Sequence, residues 1–428
     1  MMTTELTKKE VLIDTLSALD FNAEGNHYVS LRTQAQKEIS ALDFPTSRTE
    51  YWKYTRVGKI INNTYALGQP EKLAIQPYLI PNLDADILVV VNGFLDESLS
   101  NIPNQNGLTV SSLSQAKKNN SASFQKHFNQ LTQKKAELFL AFNNAYHTDG
   151  VYVETDKNTV AEKPIHIINI TTGNKVVAQS RNLVVSGIGS QVKIIESFVN
   201  INGADNFLNS VSEFYVAENA KVEYNKIQDK KENNYHISTE EAYQEANSTF
   251  TINTATFNGA LVRNNLNIPV DASNCETNLN GLYLGQNKDH IDNHTVVDHK
   301  QPHCNSNEVY KGVLDDDSTG VFNGKVFVRQ DAQITNAFQQ NNNILLTDTA
   351  SVNSKPELEI YADDVKCSHG STTGQIDEEA IFYLQSRGIS KRGAMKLMIN
   401  AFAKDALEKI TIEALQEYID QKIEERFN

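Results

Sequence analysis

The sequence predicts a mainly β protein, with a parallel β-helix core between a mixed, mainly helical N-terminal region and a helical C-terminal region. From Val151 to about Cys367, short alternating apolar runs are separated by Asn, Gly, Asp and Ser, which is typical of strands joined by turns. A strand-rich stretch of roughly 200 residues is long for one β-sandwich, so we favour a solenoid.

A small repeated unit supports the solenoid. It consists of a turn with a small residue, then a spacer, then a β-branched residue that enters a strand. In a parallel β-helix each coil buries its inner face on the next coil, and turns with small residues stack in the same way. The units are Ser190-Gln191-Val192, Ala220-Lys221-Val222, Ala332-Gln333-Ile334 and Ala350-Ser351-Val352.

The N-terminal region combines helical patterns with one strand. Amphipathic spacing predicts helices over Glu5–Leu19, His27–Leu42 and Lys134–Tyr146, and the apolar run Asp86–Asn92 predicts a buried strand. The Asn- and Ser-rich stretch Asn101–Ser123 predicts a loop.

The chain becomes helical again after Gly374. Asp377, Ser390 and Thr411 are each placed to cap a helix, and the last helix carries an apolar stripe. Such a stripe is more often core than docking surface, although a helical tail on a solenoid is well placed to receive a partner. The predicted domains are an N-terminal mainly helical domain over 1–147, the β-helix core over 148–370 and a C-terminal helical domain over 371–428.

Charge and composition argue against several classes of function. The 39 basic and 53 acidic residues give a net charge of −14, and no cluster of Lys and Arg stands out, which disfavours nucleic-acid and anionic-membrane partners. No run approaches the ~20 apolar residues of a membrane span, and the first residues are polar, so we expect a cytoplasmic protein. The 3 cysteines, far apart in sequence, do not form a disulfide framework.

Several enzyme signatures are absent from the sequence. It contains no Gly-x-x-x-x-Gly-Lys-Ser/Thr phosphate loop, no Gly-x-Gly-x-x-Gly after a strand, no Gly-x-Ser-x-Gly elbow and no Cys-x-x-Cys pair. We therefore expect that this chain does not hydrolyse ATP itself.

The segment Asp363–Gly374 places a thiol and an imidazole two positions apart. In an extended strand Cys367 and His369 would share a face and could bind one ligand. Three interpretations stay open: a cysteine–histidine nucleophile, for which no orienting third group is specified nearby, a buried structural cysteine, and a metal or cluster site. Two ligands fall short of a tetrahedral set, so the last interpretation requires ligands from a second chain.

A second group of metal-binding residue types begins at His290. On a strand His290, Asp292 and His294 would share one face, which is plausible metal geometry. Imidazoles also line the solvated faces of solenoids, and the sequence shows no residue that would orient these ligands. A metal site therefore stands beside a solvated polar face as a hypothesis.

The acidic run Asp315–Asp317 suggests an alternative function. β-Helical carbohydrate-active enzymes place carboxylates along an outer face, and this run could serve such chemistry. A charge run between two strands is usually a turn. The alternative is an enzyme that uses these surface carboxylates.

Six motifs in the C-terminal half, together with Arg48–Thr55 near the N-terminus, form a specific set. The C-terminal motifs are Tyr310–Leu314, Phe322–Gly324, Asn341–Leu346, Pro356–Ile360, Ala362–Gly370 and Tyr383–Ile389. The set resembles the SufB/SufD family of iron–sulfur cluster assembly proteins. The scarcity of cysteines fits a D-type rather than a B-type member, because a cluster needs several thiolates.

The resemblance implies a right-handed parallel β-helix that acts as a non-catalytic scaffold in a complex with SufB and the SufC ATPase. It implies that His369, with Cys367 beside it, lies where a nascent cluster forms with SufB, so that the cluster is transient and no cofactor is bound tightly by this chain alone. Without partners, a homodimer through the same surface is expected. The residues that it places in the tail that meets SufC include Tyr383, Arg387, Gly388 and Ile389.

Overall fold

The computed structural model describes residues 7–21, 24–133, 135–231 and 233–426. Its α-helices are α1 (Lys8–Leu16), α2 (Asn26–Ala41), α3 (Gly58–Ile61), α4 (Leu113–Asn119), α5 (Ala122–His127), α6 (Leu138–Tyr146), α7 (Glu378–Ser386), α8 (Lys391–Leu407) and α9 (Glu413–Arg426). Its strands are β1 (Ala66–Leu67), β2 (Asp86–Val91), β3 (Phe94–Leu95), β4 (Leu108–Ser112), β5 (Val151–Thr155), β6 (Ile165–Thr171), β7 (Val176–Ser186), β8 (Gln191–Asn200), β9 (Phe207–Val216), β10 (Lys221–Asp229), β11 (Tyr235–Gln244), β12 (Thr249–Asn258), β13 (Leu261–Val270), β14 (Glu276–Gly285), β15 (His290–His299), β16 (Asn305–Leu314), β17 (Thr319–Val328), β18 (Thr335–Leu345), β19 (Ser351–Ile360) and β20 (Val365–Gln375).

Successive strands of the core alternate between two sheets of ten strands each. One sheet has the order β19-β17-β15-β13-β11-β9-β7-β5-β4, with β1 beside β7, and the other has the order β20-β18-β16-β14-β12-β10-β8-β6-β2-β3. The long strands pair in parallel with those of the next coil, whereas β2–β3 and β4–β5 pair antiparallel. This arrangement confirms the predicted parallel β-helix and excludes a sandwich, whose sheets are antiparallel.

Small residues stack where the chain enters successive strands of the second sheet. The residues before β8, β10, β12, β14 and β16 are all buried: Ser190, Ala220, Ser248, Cys275 and Cys304. The predicted units that begin at Ser190 and at Ala220 are therefore confirmed. The unit predicted at Ala332 differs, because Ile334 lies in the turn before β18 with a φ of 58° and an exposed side chain.

The N-terminal helices and strand follow the prediction: α6 and β2 lie inside the expected ranges, and α2 begins one residue before its expected range. Glu5 and Lys134 lie outside the described residues. The loop predicted over Asn101–Ser123 is wrong, because the segment contains β4, α4 and the start of α5. Two of the serines that suggested a loop are helix N-caps: the Ser112 side chain accepts a hydrogen bond from the backbone N–H of Gln115 at the start of α4, and that of Ser121 accepts one from the N–H of Phe124 at the start of α5.

A buried ion pair joins the N-terminal region to the β-helix. Arg181 on β7 and Glu213 on β9 are fully buried, with Nη2 and Oε2 2.7 Å apart. The same guanidinium donates to Asn144 (2.7 Å), Asn129 (2.9 Å) and Thr132 (2.8 Å), all of which belong to the segment that leads through α6. Hydrogen bonds to both terminal nitrogens of the guanidinium compensate its burial and fix this segment on the sheet.

Two of the three C-terminal helices pack against the outer face of the second sheet. The stripe Leu415, Ile419 and Ile423 of α9 is completely buried, so it is core rather than docking surface. Lys311 on β16 anchors α8 through a 2.5 Å ion pair with Asp405. In α7 only Ile381 is buried among the described side chains. No helix in the described ranges is long and apolar enough to cross a membrane.

Candidate functional site at the open end of the β-helix

The C-terminal end of the β-helix is open. β19 and β20 are the last strands of their sheets, and within the part of the chain that the structure describes each has one edge without a neighbouring strand. These edges are 10 and 11 residues long. Their residues are half-buried or exposed, whereas alternate residues of β18 are fully buried. Long unpaired edges of this kind are templates for pairing with another strand.

Cys367 and His369 lie on the inner face of this last coil. In the register of β20 with β18, Cys367 is opposite Ala337 and His369 is opposite Gln339, and both of these β18 residues point into the interior. The predicted strand alternation is therefore confirmed. Cys367 is half-buried against the core, while His369 is exposed because no further coil covers it.

Thiol and imidazole groups are both of types that bind metals, but these two side chains alone would form an incomplete ligand set. Burial raises the pKa of the Cys367 thiol, and a backbone hydrogen bond with Ala337 partly opposes that rise. The thiolate is the form that binds metals, so a metal ion would have to displace the proton. An imidazole and one thiolate leave half of a tetrahedral set unfilled, and the exposed inner face leaves space for ligands from another molecule.

A column of inward side chains leads to His369 from inside the β-helix. Leu279, Glu308, Gln339 and His369 occupy the same register position on β14, β16, β18 and β20. The Glu308 carboxylate accepts from the Thr295 hydroxyl at 2.5 Å and from Gln339 Nε2 at 2.7 Å. Burial raises the pKa of Glu308 to about 7. A buried carboxyl group therefore lies two strands below the exposed imidazole.

A second series of hydrogen-bonded side chains reaches the open end beside this column. The Tyr283 hydroxyl donates to Asn343, and Asn341 Nδ2 donates back to the Tyr283 oxygen at 3.1 Å. Ser354 on β19 donates to Asn341 at 2.7 Å, and the hydroxyl of Ser371 on β20 donates to Ser354 at 2.8 Å. The floor of the open coil is thus polar and hydrogen-bonded.

Glycines of the sequence motifs make room for these polar side chains. A Cβ at Gly312 would clash with the ring of Tyr283 and the amide of Asn343, and one at Gly324 would clash with Gln339 Nε2. Glu308 and Gln339 were not predicted as site residues from the sequence. The signal was present in β18, where Gln and Asn recur at alternate, inward positions.

Comparison with known proteins identifies the family. Residues 168–402 match the model of the SUF system FeS cluster assembly SufBD core domain, and residues 19–167 match that of the SufBD protein N-terminal region. The chain belongs to the SufBD family. Together the two models span both the helical N-terminal region and the β-helix, so membership covers nearly the whole chain.

Relatives from three bacteria support the SufBD assignment along most of the chain. An iron–sulfur cluster assembly SufBD family protein of Synechocystis is 31% identical over 413 residues, which cover 93% of this chain and 91% of that protein. The iron–sulfur cluster assembly protein SufD of Escherichia coli is 30% identical over 414 residues and 95% of both chains. A SufBD family protein of Mycobacterium tuberculosis is 30% identical over 298 residues, covering 68% of this chain and 72% of its own.

In this SufBD chain, the His290 group is an ion-pair network. His290, Asp292 and His294 share a face of β15, as predicted. Arg263 Nη1 lies 2.6 Å from the Asp292 carboxylate, His294 Nε2 lies 3.2 Å from it, and the Thr55 hydroxyl bonds both Asp292 and His290. Burial opposes ionisation of Asp292, but the Arg263 guanidinium holds its pKa below the usual value.

The geometry of this group does not favour a metal site, although its histidines are in the neutral form that binds metals. Burial lowers the pKa of His290 and of His294, so both imidazoles are neutral near pH 7. Even so, no three His, Cys, Asp or Glu residues in the described ranges are arranged to hold a metal ion. The described contacts support a structural role, and the metal site stays a hypothesis that they do not favour.

The network is where the motif Arg48–Thr55 docks. The Arg263 guanidinium lies 3.8 Å from the centre of the Trp52 ring, and Tyr51 packs edge-on against His294. Glu50 forms a 3.2 Å ion pair with Lys355 on β19. The motif therefore attaches the N-terminal region to the sheet close to the open end.

Asp315–Asp317 forms the turn between β16 and β17. Asp316 has a φ of 51°, and its carboxylate accepts from the backbone N–H of Asn287 at 2.9 Å. Asp315 accepts from the backbone N–H of Asp316 at 2.9 Å. These contacts are typical of a turn. Membership of the SufBD family argues against the alternative of a carbohydrate-active enzyme.

The predicted tail residues form the end of α7. The Arg387 guanidinium donates to the Tyr383 hydroxyl at 3.1 Å, and Gly388 ends the helix with a φ of 87°. The backbone N–H of Ile389 then bonds the carbonyl of Leu384 at 3.2 Å. The helix end is thus well formed although its aromatic side chains are exposed.

Proposed function

We propose that this chain is a non-catalytic scaffold subunit that pairs with SufB through the open end of its β-helix and holds a nascent iron–sulfur cluster at that junction. The observation that carries the proposal is the uncovered inner face of β20, where Cys367 and His369 stand at an unpaired edge. The cluster is the cargo of the assembly, so no cofactor is bound tightly by this chain alone.

Strand pairing would complete the ligand set. Neighbouring strands lie about 4.8 Å apart, so a strand of SufB added beside β20 would bring its side chains next to Cys367 and His369. Backbone hydrogen bonds along both free edges would fix the orientation. Partner thiolates could then fill the coordination that two ligands leave open. In isolation, the same edges favour a homodimer.

The exposed face of α7 supports binding of the SufC ATPase. Phe382 is 72% exposed and Tyr383 is 57% exposed, beside Arg387. Exposed aromatic and Arg side chains are enriched at protein interfaces. Gly388 and Ile389, at the end of the helix, complete this surface. ATP-driven movement of SufC, bound here, would open and close the junction at β20.

A cytoplasmic location is part of the proposal. All three cysteines are unpaired: Cys275 and Cys304 are buried, and Cys367 is half-buried. Free thiols persist in the reducing cytoplasm, where disulfides are rare.

Co-expression with SufB and SufC chains, followed by co-purification and iron and sulfide analysis, tests the proposal. His369→Ala should leave folding and co-purification intact and reduce bound iron and sulfide, because it removes one ligand without touching the core. His27→Ala, an exposed histidine on α2, is the matched control. Normal cluster content in His369→Ala would refute the site, and failure of the wild type to associate would refute the pairing.

A further inference from the structure

The amide group of Gln339 is only half satisfied. Its Nε2 donates to Glu308 at 2.7 Å, but its Oε1 is buried and has no hydrogen-bond partner within the described ranges. A buried acceptor without a partner destabilises the folded state, because it has lost its hydrogen bonds to water. Most buried polar atoms in native proteins are hydrogen-bonded, so we expect a donor for this oxygen among its neighbours.

Three neighbouring strands flank the Gln339 amide, and the in-register residue on one of them carries an N–H donor. On the β16 side the amide is bonded to Glu308. On the facing sheet it meets Gly324, where a Cβ would clash with Nε2 and where there is no side-chain donor. On the β20 side the in-register neighbour is His369. Side chains of adjacent strands stand about 4.8 Å apart, a distance that a turned imidazole ring can bridge with an N–H.

We propose that Glu308 and Gln339 are positioning residues for His369. Glu308, itself held by Thr295, keeps Nε2 of the Gln339 amide turned inward, so that Oε1 faces β20. This oxygen accepts the N–H of one nitrogen of the His369 ring and fixes the tautomer. The other ring nitrogen then presents its lone pair at the open end.

The positioning of His369 adds detail to the proposed function. Only its last step, in which the free ring nitrogen binds a metal, rests on that function. The two nitrogens of a neutral imidazole differ, and the hydrogen bond of one decides which is free to bind a metal. Residues that orient a ligating histidine commonly contribute 10–100-fold to metal affinity or activity. A histidine on an uncovered edge has few other ways to be oriented, since its side chain is exposed.

The tautomer of His369 can be measured in the isolated full-length chain. Long-range ¹H–¹⁵N correlation spectra of imidazole nitrogens distinguish the two neutral forms, and His369→Ala assigns the signal. We expect one tautomer to dominate by about tenfold in the wild type, which corresponds to about 1.4 kcal/mol. Gln339→Leu, of similar volume, should bring the ratio close to that of a free imidazole.

Two further variants make the test specific. Glu308→Gln should shift the tautomer ratio in the same direction, because a glutamine at this position lets the Gln339 amide exchange the places of its oxygen and nitrogen. This variant also replaces Gln339→Leu as the test if that variant does not fold. Gln244→Leu removes an equally buried interior amide on β11, far from the open end, and should leave the His369 signal unchanged.

The outcomes separate this inference from the proposed function. An unchanged tautomer ratio in folded Gln339→Leu, or in Glu308→Gln, overturns the positioning role whatever the cluster content of the complex. A shifted ratio combined with normal cluster content in His369→Ala would uphold the positioning role and refute the proposed function. In the complex, Gln339→Leu should lower the iron content while SufB still co-purifies.

Discussion

Replacement of the buried Glu308 by glutamine should stabilise the protein at alkaline pH. The carboxyl group is fully buried, and among the described residues it has no cation beside it and is bonded only by the Thr295 hydroxyl and the Gln339 amide. Glutamine has nearly the same shape but cannot ionise. The substitution therefore removes the cost of a buried charge and keeps most of the packing.

The size of the effect follows from the pKa of Glu308, which burial raises from 4.5 to about 7. Below pH 4.5 the group is protonated in both the folded and the unfolded chain. As the pH rises from 4.5 to 7, it ionises in the unfolded chain first, so the folded state loses stability through this window. Each tenfold difference in acidity is about 1.4 kcal/mol, so the full loss above pH 7 is about 3 kcal/mol.

Urea unfolding of wild type and Glu308→Gln between pH 5 and pH 8.5 measures this difference. We expect the variant to be more stable by about 1 kcal/mol at pH 5, and this advantage should grow to about 3 kcal/mol above pH 7. Glu276→Gln, at an exposed position of β14, should show no such growth. A difference between wild type and Glu308→Gln that is independent of pH would refute the reasoning.

Three further substitutions test other parts of the structure. Lys230→Met removes a buried lysine that is bonded to Thr171, and burial lowers the pKa of this lysine from 10.5 to about 7. Urea unfolding should show that the variant gains up to about 5 kcal/mol in free energy of unfolding below pH 7, and that this gain disappears as the pH approaches 10.5. Arg263→Leu leaves the buried Asp292 carboxylate without its cation and should cost about 3–5 kcal/mol, seen as a lower Tm. Phe382→Asp changes a ring that is 72% exposed, so it should weaken co-purification with SufC and leave Tm unchanged.

The β-helix could be predicted because its signals are local and repeated. Alternating runs mark the strands, and small residues such as Ser190 and Ala220 mark the stacked turns. The prediction over Asn101–Ser123 was wrong for a physical reason, because Ser is favoured both in loops and at helix N-caps. Only the tertiary contacts of Leu108 and Val110, which pack into the core, distinguish the two cases.

The site was only partly predictable, because its contacts join distant parts of the sequence. Strand alternation placed Cys367 and His369 on one face, but the role of the His290 group depends on Thr55, which lies 235 residues away from His290. Neither segment indicates the other by its own composition. The pairing appears only when β15 and the N-terminal motif meet on the outer face of the sheet.

The polar column below His369 also gives a reason for the glycine in Phe322–Gly324. Gln339 can turn its amide toward Glu308 only because residue 324, on the facing sheet, has no side chain. A larger residue there would push the amide toward β20 and disturb the inner face on which His369 lies. Gly324 and His369 belong to separate motifs of the sequence, yet they border the same buried amide. The space that the Gln339 amide occupies therefore explains the glycine at position 324.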